Sequence, residues 1–138
     1  MTYLLDTNVL SELRPRANRH PGVLAWFMAV NEEDLFTSVL VLGEIRRGIE
    51  RVRAYDAAFA ARLEAWLTVL KADYADRALP IDRAVADVWG TFDRRQLPPE
   101  PDGLVAATAL RHGMTLVTRN VEHVAGTGVA TLNPWTWA

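Results

Sequence analysis

The stretch YLLDTNVLSEL, residues 3–13, places an aspartate directly after the first hydrophobic run of the chain. Tyr3, Leu4 and Leu5 read as a short buried strand, and Asp6, Thr7 and Asn8 stand where it must end. Two explanations fit this stretch. Asp, Thr and Asn are all good helix caps, whose oxygens satisfy free N–H groups of a helix expected over Val9–Leu13 and stopped by Pro15. Strand ends in parallel α/β sheets are also where ligands and metals bind. The eleven residues leave both open, but they set the start of an α/β pattern that the rest of the chain repeats.

After Pro21, residues 22–30 carry a helical apolar pattern. LFTS at 35–38 is a second strand candidate and feeds a helix over 39–52; a long amphipathic stretch follows from about Tyr55 to Tyr74. ALPI at 78–81 makes a third strand, with Asp82 as the cap of a helix around Val85, Val88, Trp89 and Phe92. LPPEP at 97–101 interrupts. DGLVAATALRHG is a helix ending at Gly113, MTLVT at 114–118 a fourth strand, and GVATL at 128–132 a fifth. Strands separated by helices imply a parallel sheet covered on both faces.

With 138 residues, 50% of them hydrophobic and 23% charged, the chain has the material for one compact domain over 1–138. It contains no cysteine, which removes disulfides, thiolate zinc sites and thiol nucleophiles. Asp6 interrupts the first apolar run too early for a signal-peptide core, and no run is long enough to span a bilayer, so a cytoplasmic protein without a membrane partner is expected. Acidic residues number 17 against 15 basic, a net charge of −2. A polyanion site must therefore be local. Arg14, Arg16 and Arg19 form one basic run, and Arg46, Arg47, Arg51 and Arg53 another; either also reads as a solvated surface. Trp26, Trp66 and Trp89 are expected in the core.

Two more acids occupy demanding positions. On a helix over 39–52, Glu44 has Leu40 and Val41 behind it and Arg47 and Gly48 ahead, so it either faces inward or is drawn to the edge by Arg47. Facing inward, it loses hydration worth several kcal/mol in order of magnitude unless a cation or hydrogen bonds replace it. Asp102 stands at the entrance of a helix that is apolar on nearly every side, where capping is again an alternative. Should Asp6, Glu44 and Asp102 converge at the carboxyl edge of the sheet, their mutual repulsion calls for a positive occupant. Oxygen ligands favour a hard divalent ion such as Mg²⁺ or Mn²⁺.

The segments LLDTNVLSEL, LVLGEIRRGI, LPID, DGLVAATAL, GMTLVTRN and the closing NPW resemble, in order and spacing, PIN-domain ribonucleases, above all the VapC and FitB type toxins of toxin–antitoxin pairs. The resemblance runs the whole length. It implies a parallel α/β sheet of about five strands in an order resembling 3-2-1-4-5, and a metal-dependent endoribonuclease site whose acidic positions are filled by Asp6, Glu44 and Asp102. In that reading Asp6 and Asp102 are the main Mg²⁺ ligands, and Glu44 orients or deprotonates the attacking water directly or through the metal shell. Thr7 and Asn8 support the Asp6 loop, Thr118 and Asn120 stand at the site edge, and Arg46 or Arg47 holds the RNA backbone. The implied partners are RNA, a DNA-binding antitoxin and a second copy of the chain.

One position departs from the pattern. Family members often carry a fourth acid after the Thr-Arg pair, where this chain has Asn120, so a second metal ion is in doubt. His123, three residues on, reads as a surface or helix-end histidine. A haloacid-dehalogenase phosphatase also begins with an aspartate after strand one, but needs a second two residues later, where Asn8 stands. The other alternative is a PIN fold that has lost efficient catalysis and binds an antitoxin or RNA, supported by Asn120 alone.

Overall fold

The computed structural model describes residues 1–93, 95 and 98–137. Five parallel strands, β1 (Tyr3–Leu5), β2 (Leu35–Ser38), β3 (Ala78–Leu79), β4 (Thr115–Val117) and β5 (Thr131–Leu132), form one sheet in the order β3-β2-β1-β4-β5. The helices are α1 (Thr7–Leu13), α2 (Pro21–Ala29), α3 (Val39–Arg53), α4 (Ala57–Asp73), α5 (Arg83–Gly90) and α6 (Asp102–Arg111). This is the expected fold class and strand order.

The chain lays down β1, β2 and β3 towards one edge, then returns to place β4 on the other side of β1. The order therefore reverses between β1 and β4, and a crevice opens beyond their carboxyl ends. In register, Leu5 pairs with Val117. Their successors, Asp6 and Thr118, consequently leave the sheet side by side.

A parallel sheet is buried on both faces, which explains the near-continuous apolar runs of its strands. Leu4, Leu5, Leu35, Leu116 and Val117 are all buried, and Trp26 packs edge-on to Tyr3 with ring centroids 5.3 Å apart. Helix α3 presents Val41, Ile45 and Ile49 at four-residue spacing to this core. Helix α6 buries Gly103 and every residue from Val105 to Ala109, because its alanines let it lie close against the sheet. It ends at Arg111, earlier than the expected Gly113, whose φ of 65° is the left-handed conformation that glycine adopts without penalty just after a helix.

Three strands are shorter than their apolar runs suggest. The third stops at Leu79 because Pro80 has no N–H for the ladder. Met114 gives its N–H to the Ala109 carbonyl at the end of α6, so β4 starts one residue later. Gly128 is left-handed and Val129 donates to Thr127 Oγ1, which delays β5 to Thr131. Leu97, the first residue of the expected interruption, lies outside the described residues. Only Trp26 of the three expected core tryptophans is fully buried; Trp66 and Trp89 are partly exposed.

A feature the sequence reading did not single out holds the β2–β3 edge. Arg77 Nη1 donates to the Glu32 and Leu35 carbonyls, at 2.8 and 2.5 Å, and Nη2 to that of Asp73 at 2.8 Å, while the guanidinium stacks 4.6 Å from the Tyr74 ring centroid.

Candidate active site

Asp6 is both a helix cap and a site residue. Its Oδ1 accepts the Thr7 N–H at 2.8 Å at the start of α1, and its Oδ2 accepts the Thr118 hydroxyl at 2.7 Å from the end of β4. One cap bond uses a single lone pair, so the cap does not exhaust the carboxylate. Thr7 then reaches across to α3, where its Oγ1 donates to Glu44 Oε1 at 2.9 Å. Glu44 is therefore held inward by Thr7 and forms no ion pair with Arg47. Asn8 spans the β1–β4 exit: its Nδ2 donates to Thr118 Oγ1 at 3.3 Å and its Oδ1 accepts the Arg119 N–H at 3.2 Å.

Asp102 is the first residue of α6, not its cap. Pro101 occupies the cap position and no side-chain capping bond forms, which leaves the Asp102 carboxylate to its surroundings. Its Oδ2 lies 3.4 Å from His123 Nδ1, on the short 3₁₀ helix that follows β4. The histidine is surface-exposed, as expected, but it touches the acidic cluster; its spacing of three residues after Asn120 was the signal that one 3₁₀ turn would bring it back. Asn120 donates its backbone N–H to Thr118 Oγ1 at 3.1 Å, which puts the departure from the acidic pattern beside Asp6.

Burial and neighbouring charge act on the same carboxylates. Burial pushes the Asp6 carboxyl above its ordinary range; the hydrogen bonds from Thr118 and Thr7 oppose this, and the Asp102 charge adds to it. Glu44 is raised for the same first reason, opposed by Thr7, with Asp6 and Asp102 both adding repulsion and Arg47 relieving a little of it. No Lys or Arg forms an ion pair with any of the three carboxylates among the described residues.

The donor set is hard oxygen throughout. Among the described residues no three His, Cys, Asp or Glu side chains are gathered tightly enough to cage an ion by themselves. Oxygen donors in ones and twos are what a hard divalent ion that keeps several of its waters, as Mg²⁺ does, would use. The residues present fit such an ion.

Of the two arginines expected at the RNA, the structure ties one elsewhere. Arg46 forms a two-pronged pair with Glu64 on α4 and a 3.1 Å pair with Glu50, and Arg53 joins the same two acids. This network clamps α3 to α4 and consumes the Arg46 donor fork. Arg47 instead lines a cleft of about 340 Å³ with Glu44, Gly43, Glu100, Pro101 and Leu104.

An all-parallel sheet with a buried acid at its switch point and further acids on α3 and α6 is the architecture of a PIN domain. The PIN-domain family model matches residues 3–125, and the chain belongs to that family. It is 34% identical over 140 residues to Toxin FitB of Neisseria gonorrhoeae, covering 96% of this chain and 97% of that protein. It is 36% identical over 139 residues to the VapC ribonuclease Y4jK of Sinorhizobium fredii, covering 96% of each. Among solved structures, FitAB bound to an IR36 DNA fragment superposes with a TM-score of 0.89 at 29% identity, over 99% of this chain and 98% of that one. The expected resemblance to VapC and FitB type toxins thus holds along the whole chain.

Proposed function

We propose that this protein is the toxin of a toxin–antitoxin pair and acts as a Mg²⁺-dependent endoribonuclease. The observation that carries the reading is the bridge from Asp6 through Thr7 to Glu44: two inward carboxylates, both in the field of Asp102, with no Lys or Arg among the described residues paired to any of the three. Net repulsion of this kind is retained where a cation is to be bound. The names of the relatives, a toxin and a VapC ribonuclease, point the same way.

Asp6 and Asp102 would hold the ion, Asp6 through the lone pairs that Thr7 and Thr118 leave free. When bound, the ion supplies positive charge to the phosphoryl oxygens and lowers the pKa of a neighbouring water. Glu44, kept inward by Thr7 and partly desolvated, orients that water and takes its proton. Arg47 offers a guanidinium to the backbone on the Glu44 side of the cleft. Asn120 contributes an amide where a further acid would raise the negative charge, which favours one tightly held ion over two.

In this reading the inhibitor is an antitoxin that binds DNA, and the working assembly contains two copies of the toxin; that a similar structure is of FitAB bound to a DNA fragment supports a DNA-bound complex. Incubating purified protein with RNA, with and without Mg²⁺, tests the enzymatic reading. Cleavage that requires the metal and is abolished in Asp102→Asn supports it. No cleavage under either condition, with intact antitoxin or RNA binding, would instead establish a binding module.

A further inference from the structure

We propose that Arg14 and Arg62, stacked on the Phe59 ring, form a phosphate-binding subsite for the RNA strand whose cleavage is assigned above to Asp6, Glu44 and Asp102; it rests on that assignment. The Arg14 and Arg62 guanidinium carbons lie 5.5 and 5.3 Å from the Phe59 centroid. Neither side chain forms an ion pair with a described carboxylate, whereas neighbouring Arg16 is paired with Glu12 at 3.1 Å. Burial first, and then the charges of Arg16 and Arg62, hold the Arg14 guanidinium below its ordinary pKa.

Arg14 stands on the active-site groove: it lines a cavity of about 310 Å³ together with Thr7, Glu44, Arg16, Phe59 and Trp66. Arg62 lines a second cavity that shares Arg14 and Trp66 with the first. A guanidinium lying on an aromatic ring is held in orientation and keeps its N–H edge free for the paired oxygens of a phosphate. The acidic end repels RNA, and the net charge of −2 gives no general attraction. A strand reaching Glu44 along this groove needs fixed positive charge before it arrives, and the stacked pair provides it. The chemistry recognised is the backbone, so the subsite anchors without reading bases.

The test measures anisotropy of a fluorescein-labelled single-stranded RNA of mixed sequence against NaCl, in an Asp102→Asn background that prevents cleavage. Arg14→Gln and Arg62→Gln should each weaken binding about 3- to 10-fold at low salt and reduce the slope of log affinity against log salt by about 0.7. Arg111→Gln, at the last residue of α6, should change neither. Should Arg14→Gln fail to fold, Arg62→Gln on the exposed face of α4 carries the test, and Arg62→Lys should restore the slope but not the full affinity. Equal affinity and slope in the arginine variants and their parent overturn the subsite. So does loss of binding to the antitoxin with RNA binding intact, which would assign the pair to a protein interface. RNA cleavage by the wild type is measured separately, so failure of the subsite and failure of the nuclease reading give different results.

Discussion

Thr118 gives its one hydroxyl proton to Asp6 Oδ2 at 2.7 Å and receives an N–H from Asn8 Nδ2 at 3.3 Å and from the Asn120 backbone at 3.1 Å. A hydroxyl has one donor and two acceptor positions, so all three are used and the direction of the Asp6 bond is fixed. Thr118→Val keeps the shape and removes the proton. It should reduce cleavage about 10- to 100-fold and raise the Mg²⁺ requirement, as loss of a group that orients a ligand does, while Thr118→Ser should stay near wild type. Equal Mg²⁺ titrations for Val and wild type would show that the hydroxyl does not position Asp6.

Asp6→Asn, Glu44→Gln and Asp102→Asn should each remove most RNA cleavage without unfolding the protein. Asn at position 6 still accepts the Thr7 cap bond and Gln at 44 still accepts from Thr7, while both relieve burial and repulsion of a charge. The metal-free melting temperature of Glu44→Gln should hold or rise, and that of Asp6→Asn should change little, because its amide N–H₂ forfeits the Thr118 bond while relief of burial and repulsion offsets the loss. Asp102 makes no capping bond, so its neutralisation removes the favourable charge at the start of α6, about 0.3–1 kcal/mol, and weakens its 3.4 Å contact with His123. Added Mg²⁺ should raise the melting temperature of the wild type more than that of Asp6→Asn. A sharp fall in all three metal-free melting temperatures would mean that these acids hold the fold together and are not kept for a cation.

The Arg46 pair sets a separate, acid-sensitive contribution. Hydrogen bonding to Arg46 draws the Glu64 carboxyl down to about 2 from its ordinary 4.5. A depressed carboxyl stabilises the fold fully above its unfolded value and loses that contribution as pH falls from about 4.5 towards about 2. Glu64 is on the surface, so the effect should be modest and shrink with salt. Glu64→Gln should flatten the melting temperature across that window. Arg46→Gln should weaken the α3–α4 clamp yet leave RNA cleavage near wild type, whereas Arg47→Gln should lower cleavage. The reverse pattern in the cleavage assay would place Arg46, not Arg47, at the substrate.

Most of the sheet was legible because each strand is an apolar run next to a capping or turn residue, as with Leu5 before Asp6 and Ser38 before α3. The acidic positions were legible too, but not their connections. That one aspartate is cap and site residue at once, that Thr7 hands Asp6 on to Glu44, and that Arg46 turns to α4 while Arg47 does not, depend on which helix face meets which neighbour. Helical spacing puts Arg46 and Arg47 about 100° apart, and only the position of Glu64 on the next helix decides between them. The contact between His123 and Asp102 escaped for a similar reason: it is made by a 3₁₀ turn that apolar periodicity does not signal.

Asn120 offers the last measurement. Its backbone is bonded to Thr118 Oγ1, which itself donates to Asp6, so a carboxylate at this position would enter the field of Asp6 and Asp102. A neutral amide there lowers the attraction for a divalent ion while retaining a carbonyl acceptor. The wild type should therefore need relatively high Mg²⁺, respond better to Mn²⁺, and hold one ion tightly. Asn120→Asp should lower the Mg²⁺ concentration giving half-maximal cleavage. It should also lower the metal-free melting temperature, because a fourth acid crowds the cluster without a cation between them. Both shifts follow from the same added charge and should disappear together if the side chain at 120 points away from Asp6. Superimposable cleavage curves against Mg²⁺ for the two proteins, with unchanged metal-free melting, would remove position 120 from the metal's surroundings.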